Sequence, residues 1–201
     1  AAGVTYYRSR TARMEESKDA GGGSFYDRVY AADRPELFFK ATPQRVAGPG
    51  QPVRIRKDSK WNVPEPELTL VINSRGEIIG YTIGNDVSER VWQKSDRTLW
   101  RAKNCDTFKP MGPWIVTGLH PRDMTTIIRV NGREVDRFAT GNMIFDAATF
   151  ISETSRYCTI HPGDVMWLGT DGIPENIKPG DVVEIEITGI GVLRNPVVAE
   201  A

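Results

Sequence analysis

The stretch Trp61-Asn-Val-Pro-Glu65-Pro-Glu67-Leu-Thr-Leu-Val-Ile72 constrains this chain most. Leu68 to Ile72 is aliphatic and β-branched, the composition of a strand. Side chains of a strand alternate between faces, so Glu65 and Glu67 share one. Two carboxylates crowded on one face repel unless something positive joins them. A divalent cation that prefers oxygen is the simplest partner. Nineteen residues beyond Glu67, Gly84-Asn85-Asp86 offers a third carboxylate. Glu65, Glu67 and Asp86 are therefore a candidate Mg²⁺ or Mn²⁺ site. An edge strand with alternating solvated glutamates shows the same pattern, so the spacing alone leaves both readings open.

The chain has 201 residues, enough for one domain with a real core. Its 26 basic side chains balance 26 acidic ones, which removes any global case for nucleic acid or an anionic membrane as partner. Cys105 and Cys158 have no metal-ligand spacing and form no disulfide framework, so a reducing cytosol is the default expectation. No apolar run approaches the ~20 residues of a spanning helix. The first residues, Ala-Ala-Gly-Val-Thr-Tyr-Tyr, carry no signal-peptide features and start abruptly, as though an upstream portion were absent.

Residues 1–36 are polar and charged and read as a mobile, lid-like segment. A short polar helix over Arg8 to Glu16 is followed by Gly21-Gly22-Gly23, which cannot continue it and which makes either a surface loop or a hinge. Residues 37–201 read as a β-rich core. Asn73 to Gly76 is a turn between the acidic strand and a partner over Glu77 to Ile83. Residues 88 to 100 suit a short helix or ordered loop. Asn131-Gly132 marks a hairpin between Thr125–Val130 and Arg133–Phe138. The spacing of Ile144, Ala147, Ala148 and Ile151 predicts a helix over 144–157 with Asp146 as N-terminal cap. Pro162-Gly-Asp164 and Pro179-Gly-Asp181 are turns that launch strands. Trp61, Trp92, Trp100 and Trp114 are assigned to core or interface packing. The fold class expected is α+β, β-rich, with few short helices.

Several motifs follow one another in a recognisable order: Glu65-x-Glu67, Gly80-Tyr-Thr-Ile-Gly-Asn-Asp86-Val-Ser-Glu-Arg90-x-x-Gln93, Trp100-Arg-Ala-Lys103, Asp106-Thr-Phe, Gly112-Pro-Trp-Ile-Val and Gly163-Asp…Leu-Gly-Thr170. This order resembles the catalytic domain of the fumarylacetoacetate hydrolase superfamily over nearly the whole chain. The resemblance implies a β-roll, a homodimer and a Mg²⁺ or Mn²⁺ ion on Glu65, Glu67 and Asp86. It implies that Arg90, Gln93 and Lys103 line the substrate side, that Thr170 holds the substrate carboxylate, and that Lys40 of Leu37-Phe-Phe-Lys40 also serves the site. The substrate class implied is an enolisable 2-oxo acid, with the ion as Lewis acid on the carbonyl and Lys103 and Arg90 facing the oxyanion.

Hydrolytic members often carry a water-activating His in an Asn-Tyr-x-x-His segment near the start of this domain. Here Ser9 stands in that place, and the two histidines, His120 and His161, sit in His-Pro turns. Serine lacks useful basicity near neutrality. The N-terminal half (Thr5-Tyr-Tyr-Arg-Ser-Arg, Met14-Glu-Glu-Ser, Phe25-Tyr-Asp-Arg-Val-Tyr30) resembles the branch that dehydrates 2-keto-3-deoxy sugar acids. The segment from Val87 to Trp114 resembles the carbon–carbon hydrolase and isomerase branch. Hydrolysis of an acylpyruvate-like β-diketo acid is the first expectation. Dehydration, with Glu15 or Glu16 placed as acid or base by position, is the second. A metal-binding scaffold without catalysis is the third.

Overall fold

The computed structural model describes residues 2–3, 5–17, 28–95, 98–172 and 175–201. Along the chain come β1 (Ala2–Gly3), α1 (Arg8–Ser17), β2 (Glu36–Leu37), β3 (Val46–Ala47), β4 (Val53–Ile55), β5 (Asn62–Val63), β6 (Pro66–Ile72), β7 (Ile78–Asn85), β8 (Ser88–Glu89), α2 (Arg90–Gln93) and α3 (Trp100–Lys103). They are followed by β9 (Lys109–Val116), β10 (Thr125–Val130), β11 (Arg133–Ala139), α4 (Ala147–Ser155), β12 (Val165–Trp167), β13 (Val182–Ile187) and β14 (Gly191–Ala199).

Two five-stranded sheets carry the fold, in the orders β12-β6-β7-β9-β3 and β11-β10-β13-β14-β4. All pairings in them are antiparallel except β3 with β9 and β4 with β14. The sheets meet where β13 and β14 pack on β7 and β9. Leu68, Leu70 and Ile72 of β6 join Ile128 of β10, Val183, Ile185 and Ile187 of β13 and Phe150 of α4 in one buried cluster. In β13 the period is clean: valine and isoleucine point in, Glu184 and Glu186 point out, and Glu186 meets Arg129 at 2.8 Å. The β-rich α+β architecture expected from the sequence is the one observed.

The solvated edge strand is the reading that fails. β6 has a neighbour on each side and every one of its residues is buried. Its two faces are both covered, so Glu67 shares a dry face with Thr69 and Val71 while the leucines face the core. Gly84, opposite Glu67, is fixed by this crowding. A Cβ there would lie 2.6 Å from the Trp167 ring and 2.7 Å from Thr69 Oγ1.

Other boundaries shift for local reasons. The helix expected over 144–157 starts at Ala147, because the Asp146 carboxylate accepts the Thr149 N–H at 2.8 Å and Ile144 donates instead to the Thr5 carbonyl. Asp146→Ala is expected to cost about 1 kcal/mol in urea melts, the worth of a lost cap. Residues 88–100 contain α2, begun where Glu89 accepts the Trp92 N–H at 2.6 Å. Trp100 and Trp114 are exposed rather than core residues; the deeply buried tryptophan is Trp167. The triple glycine lies outside the described residues. Thr5, Tyr6 and Ser9, by contrast, are buried, with the Tyr6 ring edge-on to Phe138 at 5.4 Å. No helix among the described residues is long and apolar enough to cross a membrane.

Candidate active site

The β6–β7 hairpin builds the acidic cluster. Glu65 precedes β6, Glu67 is its second residue, and Asp86 follows β7. The ladder end is tied by Asp86 N–H to the Glu65 carbonyl (2.8 Å) and Glu65 N–H to Asn85 Oδ1 (3.0 Å). All three carboxylates are buried, and each brings an oxygen within 4.8 Å of the others. These are hard oxygen donors in a small space, the donor set that suits Mg²⁺ or Mn²⁺.

Basic side chains from four other segments surround the cluster. Lys40 donates to Glu67 Oε1 (2.8 Å) and Asp86 Oδ2 (2.5 Å), with its ammonium over the Phe38 and Trp167 rings. Lys103, at the end of α3, donates to Glu65 Oε2 and Asp86 Oδ2, both at 2.6 Å, and to Ser88 Oγ at 2.7 Å. Arg90, at the start of α2, reaches Glu65 Oε1 at 2.7 Å and also donates to Gln93 Oε1 at 2.8 Å. Lys109, at the start of β9, reaches Asp86 Oδ1 at 2.6 Å. The Gly169 N–H donates to Glu67 Oε2 at 2.7 Å, so a backbone amide holds the remaining side of that carboxylate.

Burial and charge set the proton affinities. Burial works against the charged form of Lys40 and Lys103. Asp86, with Glu67 for Lys40 and Glu65 for Lys103, outweighs it, so both lysines sit above the ordinary range and stay protonated. Burial also opposes ionisation of Asp86, yet Lys103, Lys109 and Lys40 together hold its carboxyl well below the usual aspartate range. Glu67 is pushed up, by burial first and by Asp86, against the pull of Lys40. Burial lowers Lys109 to about 8 despite Asp86.

The structure thus brings Glu65, Glu67, Asp86, Lys40, Lys103, Arg90 and Gln93 together. Thr170 lies one residue beyond Gly169, half-buried, with its hydroxyl 3.5 Å from the Asp171 carbonyl. Ser9 is committed elsewhere: its hydroxyl donates to the Tyr6 carbonyl (2.9 Å) and lies 3.3 Å from the Tyr30 hydroxyl. His120 and His161 are exposed. Glu15 is exposed on α1.

Three participants escaped the sequence reading. Ser88 and the Gly169 amide carry no compositional signal. Lys109 carries none either, because the burial of its strand shows only once the fold has closed over it. Asp171 is a fourth finding. Its buried carboxylate lies 3.5 Å from Arg8 Nε, an ion pair that ties the first residue of α1 to the loop after Gly169.

A family model described as Fumarylacetoacetate (FAA) hydrolase C-terminal matches residues 7–198. The chain is 42% identical over 208 residues to a probable 2-keto-3-deoxyxylonate dehydratase of Haloferax volcanii, across 98% of this chain and 71% of that protein. It is 37% identical over 185 residues to 2,4-didehydro-3-deoxy-L-rhamnonate hydrolase of a Sphingomonas species, across 81% of this chain and 65% of that one. Among solved structures, 2-keto-3-deoxy-D-arabinonate dehydratase complexed with magnesium and 2,5-dioxopentanoate superposes with a TM-score of 0.81 at 36% identity, covering 87% of this chain and 66% of that one. The acidic strand pair, the lysines gathered on it and the match over residues 7–198 agree: the chain belongs to the fumarylacetoacetate hydrolase family.

Proposed function

We propose that this protein is a divalent-metal-dependent dehydratase of a 2-keto-3-deoxy sugar acid. The observation that carries the reading is the fate of Ser9. The place of the hydrolytic histidine is filled by a hydroxyl spent on the Tyr6 carbonyl, and both histidines lie exposed in turns. The site therefore presents ammonium and guanidinium groups around carboxylates, without an imidazole to activate water. The likeness to two 2-keto-3-deoxy sugar-acid dehydratases supports the same choice over the hydrolysis that the sequence favoured.

In this reading Glu65, Glu67 and Asp86 hold Mg²⁺ or Mn²⁺, and the bound ion supplies Lewis-acid polarisation of a 2-oxo acid. Lys40 and Lys103, kept protonated by their carboxylate neighbours, act as proton donors and charge stabilisers rather than bases. One of them delivers a proton to the departing hydroxyl, so that water leaves, while Glu15 of α1 takes the proton from the adjacent carbon and the electron pair of that C–H bond forms the new double bond. Arg90, steadied by Gln93, adds fixed positive charge for the developing oxyanion. Thr170 holds the substrate carboxylate. The segment bearing α1 covers the site, and residues 37–201 form the ion-binding core.

The test is turnover of Mg²⁺- or Mn²⁺-loaded protein on 2-keto-3-deoxy-pentonates and acylpyruvates side by side. A 2-oxo semialdehyde should form from the first set and vanish with EDTA. Pyruvate release from the second set, with the first untouched, would overturn the dehydratase reading. Ser9→Ala should lower dehydration by less than ~10-fold, short of the 10²–10⁴ that follows loss of a general base.

A further inference from the structure

The two oxygens of Asp86 are treated differently. Oδ2 accepts from Lys40 and Lys103, each of which also reaches a glutamate of the acidic cluster. Oδ1 faces Lys109 at 2.6 Å. The Lys109 Nζ reaches neither glutamate in the same way; its further neighbours are the Phe108 carbonyl at 3.0 Å and the Val87 carbonyl at 3.5 Å. Lys109 is 1% exposed, and the segments on either side of it are pinned by Val87 N–H on the Phe108 carbonyl at 3.1 Å. It is enclosed within the wall of the site. Burying an ammonium is costly, and three oxygen acceptors gathered round one nitrogen are what make it tolerable.

We propose that Lys109 is a positioning residue that commits one Asp86 oxygen to an internal cation and holds divalent-ion affinity below what the bare acidic cluster would reach. The inference rests on Glu65, Glu67 and Asp86 being the ion centre. With Lys40, Lys103, Lys109 and Arg90 in contact, four basic groups face three carboxylates. A dication entering such a cluster meets positive charge that is fixed in place at close range in a poorly polarisable interior. Lys40 and Lys103 end long side chains at the converging oxygens. Lys109 is walled in, with its Nζ set against Asp86 Oδ1. An anionic 2-oxo acid relieves the resulting excess of positive charge, so ion and acid binding reinforce each other.

The experiment is Mn²⁺ affinity, by calorimetry or by the electron paramagnetic resonance of free Mn²⁺, for wild type, Lys109→Met, Lys109→Gln and Glu67→Gln, with melting temperatures alongside. Removing the charge should tighten Mn²⁺ by about tenfold or more. Lys109→Gln keeps a donor toward Oδ1 and serves if the methionine variant does not fold. A structural peg alone would lower the melting temperature without tightening the ion. Unchanged or weaker binding in a folded Lys109 variant overturns the inference while leaving the ion centre standing. Equal binding by wild type and Glu67→Gln overturns the ion centre, and the inference with it.

Discussion

Asp86→Asn should lose both divalent-ion binding and about 3–5 kcal/mol of fold stability, the cost of breaking buried ion pairs by removing one side of them. Three lysines depend on this one carboxylate: Lys40 and Lys103 on Oδ2, Lys109 on Oδ1. An amide keeps the shape and removes the charge, so three buried ammonium groups lose their common anion. Urea melts at neutral pH check the stability and Mn²⁺ titration checks the ion. The pH dependence has a definite sign. Asp86 ionises more readily folded than unfolded, so its contribution is fully present above the ordinary value of 3.8 and fades only as acid passes its own, lower value. Wild type should therefore lose stability on acidification in that low range, and Asp86→Asn should show a smaller loss there. A variant as stable as wild type would mean that the lysines find other partners.

Lys103→Met should lower dehydration by about 10²–10³-fold while Mn²⁺ still binds, as expected when a charge-stabilising group is removed from a dry site. Its ammonium joins Glu65, Asp86 and Ser88, so the readout must separate ion binding from turnover. Methionine preserves the length of the stem and much of its packing. A purely ion-binding scaffold would show no kinetic change, because it would have no turnover to lose. Retained activity in Lys103→Met would move the proton-donor role to Lys40.

Much of this site is legible in the chain because period-two geometry is so restrictive. Glu65 and Glu67 must share a face, and the turn at Asn73–Gly76 must bring the strand carrying Gly84 back alongside. That pairing delivers Asp86 to the glutamates. The capping of α4 by Asp146 and the hairpin at Asn131-Gly132 are equally local and were equally readable. What composition hides is which strand is central. Alternating glutamates look the same on a solvated edge and on a dry face, and only the neighbours β12 and β7 make the difference. Lys109 is hidden for a related reason, since a lysine is almost always a surface residue until a fold closes over it. Ser9 shows the opposite case. Its departure from the hydrolytic pattern was visible, but its commitment to the Tyr6 carbonyl and its closeness to Tyr30 depend on contacts that no local rule provides.

The three carboxylates come from one short hairpin, residues 65 to 86, whereas their cationic neighbours come from four separate stretches around Lys40, Arg90, Lys103 and Lys109. The anions therefore meet through pairing of near neighbours in the chain, whereas each cation arrives only when its own stretch docks, so the charge balance of the site is complete only in the finished fold.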